Sequence, residues 1–247
     1  MEIPDVIQCY SQIATSFDKT RQYVWGFVKI FIEEIQTALD SHALDPLMVY
    51  DIGCGNGKNM VKICETMHDS NERSQTQHAI KGCDLTPEFV EICKQKNLDV
   101  VIGDVLDIPF RDKSADYVMC IAVIHHLKTI EERKRAIMEM LRVLKNGGKM
   151  LLSVAEFYEY NPETDRKNVL KAFYRHATPI DSKNDVLVRW ILRESTGEKI
   201  FHRYYHLFDE NEMDDIITDI CESTKYKCKI YRKMNEFSNW IYFIERM

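Results

Sequence analysis

"VYDIGCGNGKNM", residues 49–60, runs from an apolar stretch through an acid into three glycines at alternate positions, then a lysine. The apolar run reads as a buried strand, and the glycines as a tight turn leading into a helix. Glycines in such a turn carry no Cβ, so a ligand can press against backbone. The spacing Gly53-Cys54-Gly55-Asn56-Gly57 is GxGxG, one residue shorter than the GxGxxG of dinucleotide-binding loops. Lys58 makes a phosphate loop tempting, but GxxxxGK[ST] is not matched. The shorter turn makes no provision for a pyrophosphate and suits an adenosine with a short charged tail. Asp51, at the end of the strand, is placed to accept hydrogen bonds from a ligand ammonium or its water shell.

Outward from this stretch, apolar runs alternate with helical patterns. Upstream, "QYVWGFVKIFIEEIQTAL" (22–39) predicts one long amphipathic helix. Downstream, "GKNMVKICETM" predicts a helix, "DSNERSQTQ" (69–77) a surface loop, and "AIKGCDL" a second strand. "TPEFVEICKQKN" follows as a helix capped by Thr86, with Pro87 at its first position. "LDVVIGD" and "ADYVMCIAVI" read as strands three and four, and "IEERKRAIMEMLRVL" as a helix. "KMLLSVAE" is strand five after a Gly147–Gly148 turn, and "KYKCKIYRK" with "NWIYFIERM" predicts a closing antiparallel hairpin. Strands that are apolar throughout, separated by helices, indicate an α/β fold: a doubly wound, mostly parallel sheet covered on both faces. Residues 156–208 interrupt the alternation and predict short helical or irregular segments ending in "KIFHRYYHLF". The helix "DENEMDDIITDIC", capped by Asp209, comes next.

The 247 residues suit a single domain (1–247), with an N-terminal helical lid over 1–45 and a substrate-side insertion over 156–208. Net charge is −6, so the whole molecule is no general trap for nucleic acid or membrane. Residues 166–206 nevertheless carry nine Lys/Arg against four Asp/Glu, the positive part of an acidic chain. No 18-residue apolar window predicts a membrane span, and no secretory signal is recognisable at the start. Eight cysteines without a CxxC pair read as reduced thiols and predict no metal site, consistent with the cytoplasm or nucleus.

Two more acids fall at strand ends. Asp84 closes strand two, where a carboxylate can take both ribose hydroxyls of an adenosine. Asp104 closes strand three, within reach of an adenine amine. Ligands of open α/β sheets bind at the carboxyl ends of strands, so three acids converge on one crevice. With "YDIGCGNGK", "GCDLTPEFV", "GDVLDIPFRDKSADYVMCIAVIHHL" and "RVLKNGGKMLLSV", the chain resembles the class I (Rossmann-like) S-adenosyl-L-methionine-dependent methyltransferases over residues 48–155. The resemblance implies S-adenosyl-L-methionine as cofactor. It places Asp51, Gly53, Gly55 and Gly57 near the methionyl part, Asp84 on the ribose, and Asp104 with Val105 around the adenine, with Cys54, Asn56, Leu85 and Ile121 as further cofactor-binding residues.

"YSQIATSFDKTRQYVW" (10–25), "IHHLKTIEERKRAI", "HRYYHLFDENEM" (202–213) and "NW" (239–240) narrow the likeness. They resemble the eukaryotic tRNA wobble-uridine methyltransferases, which form the methyl ester of 5-carboxymethyluridine; in animals a similar module is fused to an AlkB-type dioxygenase. A carboxylate acceptor is already ionised at neutral pH, so it needs aiming rather than a general base. Arg21 and Arg203, each beside aromatics, are candidates to fork onto it, and Tyr204 to stack on a flipped base. Arg21 is equally a candidate for the cofactor carboxylate, Arg203 for a surface phosphate, and Tyr204 for the core. His125 and His126 follow strand four, where acceptors sit in this fold, and His125 is the candidate site residue.

The basic stretch 166–206 is the candidate grip on the tRNA anticodon stem-loop, and "KYKCKIYRK" a second. Strand three lies at a sheet edge in this fold, with little charge to deter pairing. The resemblance implies a small zinc-binding methyltransferase activator subunit, forming a heterodimer at that edge. Two other functions remain open: a small-molecule carboxyl or phenol O-methyltransferase, and a catalytically idle scaffold.

Overall fold

The computed structural model describes residues 5–41, 46–74, 77–157, 177–180, 182–194 and 197–247; of residues 69–74 and 194 only the backbone is described. Five parallel strands form most of the main sheet: β1 (Met48–Ile52), β2 (Ala79–Asp84), β3 (Val100–Ile102), β4 (Ala115–Ile121) and β5 (Leu144–Ala155). β9 (Cys228–Glu236) and β10 (Asn239–Arg246) complete it as an antiparallel pair, giving the order β3-β2-β1-β4-β5-β10-β9. The predicted hairpin is present. Its two-residue turn puts Phe237 and Ser238 at φ 52° and 56°, the left-handed twist that lets antiparallel strands join tightly. β3 is an edge, with Val101 41% and Ile102 57% exposed.

Alternation along β1 explains why its whole sequence is apolar. Tyr50 and Ile52 pack on one face with α5 (Ile130–Val143) and α6 (Glu212–Ser223); Val49 packs on the other with α2 (Gly26–Ser41) and α3 (Lys58–Ser74). α4 (Pro87–Gln95) follows β2 on the α2/α3 side through Val90 and Cys93. Residues of α5 and α6 such as Ile137, Met140 and Ile217 are shielded from water, which favours burial by about 25 cal/mol per Å² of apolar surface. α5 opens with reciprocal bonds, Glu132 N–H donating to Thr129 Oγ1 (3.1 Å) and Thr129 N–H to Glu132 Oε2 (2.9 Å).

Several boundaries differ from the sequence expectation. The helix predicted over 22–39 starts at Gly26, and a separate helix α1 (Val6–Thr20) precedes it, capped by the Asp5 carboxylate. The predicted loop 69–77 is helical to Ser74, because its polar residues are helix-compatible although they show no apolar period. Thr86 stands at the N-cap of α4 without a side-chain bond, and α6 begins at Glu212 behind Asn211, so Asp209 is not its cap. β4 ends at Ile121, and Ala122 and Val123 link it to a single 3₁₀ turn, Ile124–His126, which takes only the last residue of the predicted run. The Gly147–Gly148 turn lies inside β5, where the ladder to β4 shifts register between Ala115 and Tyr117. The predicted irregular segment instead contains a second, three-stranded sheet of β6 (Thr178–Pro179), β7 (Asp185–Glu194) and β8 (Gly197–His206). Residues 158–176, 181 and 195–196 of that segment lie outside the described residues, as does part of the basic stretch 166–206.

Candidate active site

A cavity of about 910 Å³ opens above the carboxyl ends of β1, β2, β3 and β4, roofed by α1. The glycine loop forms its floor. Gly53, Gly55 and Gly57 have φ of 69°, 55° and 74°, a conformation that costs other residues roughly 1 kcal/mol each. A Cβ on Gly53 would sit 2.3 Å from Val123 Cγ2, whereas one on Gly55 would find only Phe17 at 3.9 Å. Space for a ligand therefore lies over Gly55.

Gly53, Cys54, Gly55 and Asn56 line the cavity, as do Asp84, Leu85, Asp104, Val105 and Ile121. Asp84 is oriented by backbone donors, Gly55 N–H to Oδ2 (2.8 Å) and Thr86 N–H to Oδ1 (2.9 Å). The Leu85 N–H and the Thr86 hydroxyl also act on it, so the carboxylate is held at the cavity wall as an acceptor for a diol. Asp104 is held likewise by Leu106 N–H at 2.8 Å. Two residues of the predicted set differ. Gly57 does not line the cavity; its α-carbon backs onto Leu98 and Cys93. Asp51 also lies behind the lining, 1% exposed, with its Oδ2 lacking a hydrogen bond. Burial first, and then the charge of Asp84, raise its carboxyl to about 7, against a smaller pull from Lys58. A buried carboxyl without a donor, just behind the glycine loop, fits a ligand ammonium on the far side of that loop through its charge. With the paired acids and the open Gly55, the donor set fits S-adenosyl-L-methionine.

The roof is tied to the floor. Asn56 Nδ2 donates to Asp18 Oδ1 and to the Arg21 carbonyl (both 3.0 Å), and Lys96 pairs with Asp18 at 2.7 Å. Under α1, beyond the glycine loop, Tyr10, His125, His126, Arg203 and Tyr205 close the other end of the cavity. Burial holds the His126 ring down at about 3 and His125 well below its usual value, so both are neutral. The Tyr204 carbonyl can only accept, so His126 Nδ1 carries the proton (2.8 Å) and Nε2 accepts from the Tyr10 hydroxyl (3.0 Å). Tyr10, whose pKa burial raises, in turn accepts from Arg203 Nη1 at 3.4 Å. The Tyr205 hydroxyl accepts from the same nitrogen at 3.0 Å.

Arg203 is 5% exposed, its guanidinium over the rings of Trp190, Tyr205 and Tyr10 at 5.2, 5.3 and 5.8 Å. Among the described residues no carboxylate pairs with it, and its Nε has no hydrogen bond. A guanidinium cannot shed its proton, so the cavity holds a buried cation that lacks an anion. Arg21 is exposed at the mouth, 4.9 Å above Trp190. Tyr204 is a correction: it lies outside the lining, 2% exposed, with its hydroxyl donating to Asp185 Oδ1 at 2.5 Å. β-strand alternation explains this, since Arg203 and Tyr205 share the face of β8 that Tyr204 turns away from. Sequence reasoning missed Tyr10 and Trp190 as site residues; the lid likeness was the signal for Tyr10, while only the β7–β8 pairing brings Trp190 in.

A family model described as a methyltransferase domain matches residues 50–152. A putative methyltransferase of Encephalitozoon cuniculi is 34% identical over 85% of this chain and 83% of its own length. The tRNA (carboxymethyluridine(34)-5-O)-methyltransferase of Xenopus tropicalis is 25% identical over 98% of the chain, which spans only 41% of that protein. Among solved structures, an S-adenosylmethionine-dependent methyltransferase from Clostridium acetobutylicum aligns over 96% of this chain and 98% of its own with a TM-score of 0.63 at 14% identity. A chain of the complex between the Haloferax volcanii Trm112 methyltransferase activator and a putative methyltransferase aligns over 98% of this chain and 97% of its own, with a TM-score of 0.57 at 14% identity.

Proposed function

The chain belongs to the class I S-adenosyl-L-methionine-dependent methyltransferases, and from that membership we propose that it esterifies the carboxylate of 5-carboxymethyluridine at tRNA position 34. The observation that carries this reading is the buried guanidinium of Arg203, unpaired with any carboxylate among the described residues. An anionic acceptor supplies the missing charge. A phenol or amine acceptor would leave it uncompensated, at a cost of several kcal/mol for a desolvated ion.

The cofactor, when bound, supplies a methyl group on a sulfonium. The chain's own residues bind and aim. Asp84 and Asp104 hold the adenosine, and Asp51, buried behind the glycine loop, acts on the ammonium end through its charge rather than by contact. Arg203 forks onto one acceptor carboxylate, with Tyr10 and Tyr205 fixing its angle. Neither His125 nor His126 is asked to remove a proton, because the acceptor is already ionised and both rings are neutral non-bases at physiological pH. The gain comes from positioning and from exclusion of water under α1.

The tRNA itself would be met by basic residues of the stretch 166–206. An activator subunit of the kind present in the Haloferax complex would add to the β3 edge, where Val101 and Ile102 are exposed. A tRNA substrate implies work in the cytoplasm or nucleus. The test is methylation of an anticodon stem-loop carrying 5-carboxymethyluridine, followed by nucleoside mass spectrometry with and without an added activator. Methyl ester formation by the wild type and its loss in Arg203→Met is the expected result; no ester under either condition overturns the reading.

A further inference from the structure

Four cations line the cavity, Lys58, Arg21, Lys128 and Arg203, none ion-paired to a carboxylate among the described residues, and Lys58, Arg21 and Arg203 are the three whose charges lie over an indole ring. Each position fits a different anion. Lys58 begins α3 directly after the glycine loop, with its ammonium 5.1 Å over the Trp25 ring and its charge felt by Asp51. Both the ammonium and the helix N-terminus favour a carboxylate there, at the methionyl end of the cofactor site. Lys58 therefore accounts for the cofactor's carboxylate, and Arg21 is left without that duty.

Arg21 follows the last residue of α1, and among the described residues the one hydrogen bond of its guanidinium is a 3.5 Å contact from Nη1 to the neighbouring Thr20 carbonyl. Its guanidinium lies 4.9 Å from the Trp190 ring, and that of Arg203 lies 5.2 Å from the same ring. Two like charges thus share one indole, one deep and one at the mouth. Partial desolvation at the mouth and the nearby Arg203 both work against the Arg21 charge. An arrangement of that kind is relieved by two anionic groups on one ligand, spaced from the floor of the cavity to its rim. A free carboxylic acid offers only one. A nucleotide with a carboxylate on its base offers the second as its phosphodiester.

We propose that Arg21 binds the phosphate of the acceptor nucleotide while Arg203 holds the carboxylate on its base. The site is then selective for a nucleotide over a nucleoside or a small-molecule acid, and the mouth reads backbone charge while the interior reads the base. This inference rests on the acceptor reading of Arg203 given above and deepens it.

The experiment is calorimetric and does not require turnover. The full chain, saturated with S-adenosylhomocysteine, is titrated with uridine and with uridine 5′-monophosphate. The wild type is expected to prefer the monophosphate by roughly tenfold, the worth of one charge-assisted bond. R21Q should bring that ratio to about one, R21K should retain part of it, and K58Q should keep the ratio while weakening S-adenosyl-L-methionine binding. Equal binding of both ligands by the wild type overturns the proposal, as does an R21Q protein that keeps the ratio but loses cofactor affinity. A kinetic arm compares 5-carboxymethyluridine with its 5′-monophosphate. If Arg21-dependent phosphate binding is seen but neither compound is methylated, the reaction assigned above falls and Arg21 stands. If both are methylated with a KM ratio indifferent to R21Q, Arg21 falls and the reaction stands.

Discussion

The hydroxyl of Tyr10 lies 3.0 Å from Nε2 of His126, although 116 residues separate them in the chain. With the His126 proton fixed on Nδ1 by the Tyr204 carbonyl, Tyr10 must donate, and its remaining lone pairs face Arg203 Nη1. The roof helix, the turn after β4 and the strand β8 are thereby joined through one phenol.

Tyr10→Phe keeps the ring and removes that junction. Arg203 retains its bond to Tyr205 but loses one of two angular restraints, and His126 Nε2 is left buried without a donor. The expected outcome is a rise in acceptor KM of roughly tenfold, from a lost hydrogen bond to a charged group. The cofactor Kd should stay within about twofold. Steady-state kinetics with calorimetry checks this, and equal loss of cofactor and acceptor affinity would reduce Tyr10 to a packing role.

Arg203→Met separates stability from function. The guanidinium is buried among Trp190, Tyr205 and Tyr10 with no partnering carboxylate described, so a thioether of similar length removes a desolvation cost and keeps the packing. Thermal or urea unfolding should show stability equal to the wild type or higher by about 1 kcal/mol. Methylation should fall at least roughly a hundredfold, as expected when a buried charge pair with the substrate is lost. Marked destabilisation would mean that Arg203 is a structural residue.

Much of this arrangement is legible in the sequence where the signal is local. Unbroken apolar runs such as "MVYDI" fix the buried strands, and the acids that end them converge because parallel strands place their carboxyl ends together. The signal fails where it is long-range or masked. "QYVWGFVKIF" is apolar across the Gly26 boundary, so the break between α1 and α2 is hidden, and with it the placement of Tyr10. "DVLVRWILRE" reads ambiguously by itself and becomes a strand only through pairing with β8. That pairing is what sets Trp190 between Arg21 and Arg203.

Asp51 makes one defined contribution to the pH dependence of stability without cofactor. Its folded carboxyl titrates at about 7, above the unfolded value near 4, so the native state binds the extra proton between them. The Asp51 contribution to stability then falls as pH rises from about 4 to 7, and that of Asp84, also raised by burial, falls with it. His125 and His126, held neutral in the fold, contribute in the opposite direction over much of the same window. The Asp51 part, read as the difference between wild type and Asp51→Asn, should amount to roughly 4 kcal/mol across that window. Asp51→Asn is expected to remove that part and to stabilise the cofactor-free protein at pH 8, while weakening S-adenosyl-L-methionine binding. Urea titrations at pH 5, 6.5 and 8 decide the point, and an unchanged slope in the variant sinks it.

Ala122 sits between the end of β4 and the turn that carries His125 and His126, at φ 60°. Its N–H is anchored to Ser153, at 3.1 Å from Oγ and 3.2 Å from the carbonyl, so the conformation is held by β5 rather than chosen by the residue. An alanine in the left-handed region stores about 1 kcal/mol. Glycine relieves this, less what it adds to the freedom of the unfolded chain, so Ala122→Gly should stabilise by about 0.5 kcal/mol. A β-branched residue meets the full steric penalty there, and Ala122→Val should destabilise by about 2 kcal/mol. Activity should fall in both, because the strained link aims the histidine turn at Tyr10 and Tyr205, and glycine slackens it while valine displaces it. Paired unfolding and rate measurements test this opposition. If glycine raised the stability and left the rate untouched, the strain at Ala122 would owe nothing to the placement of the histidines.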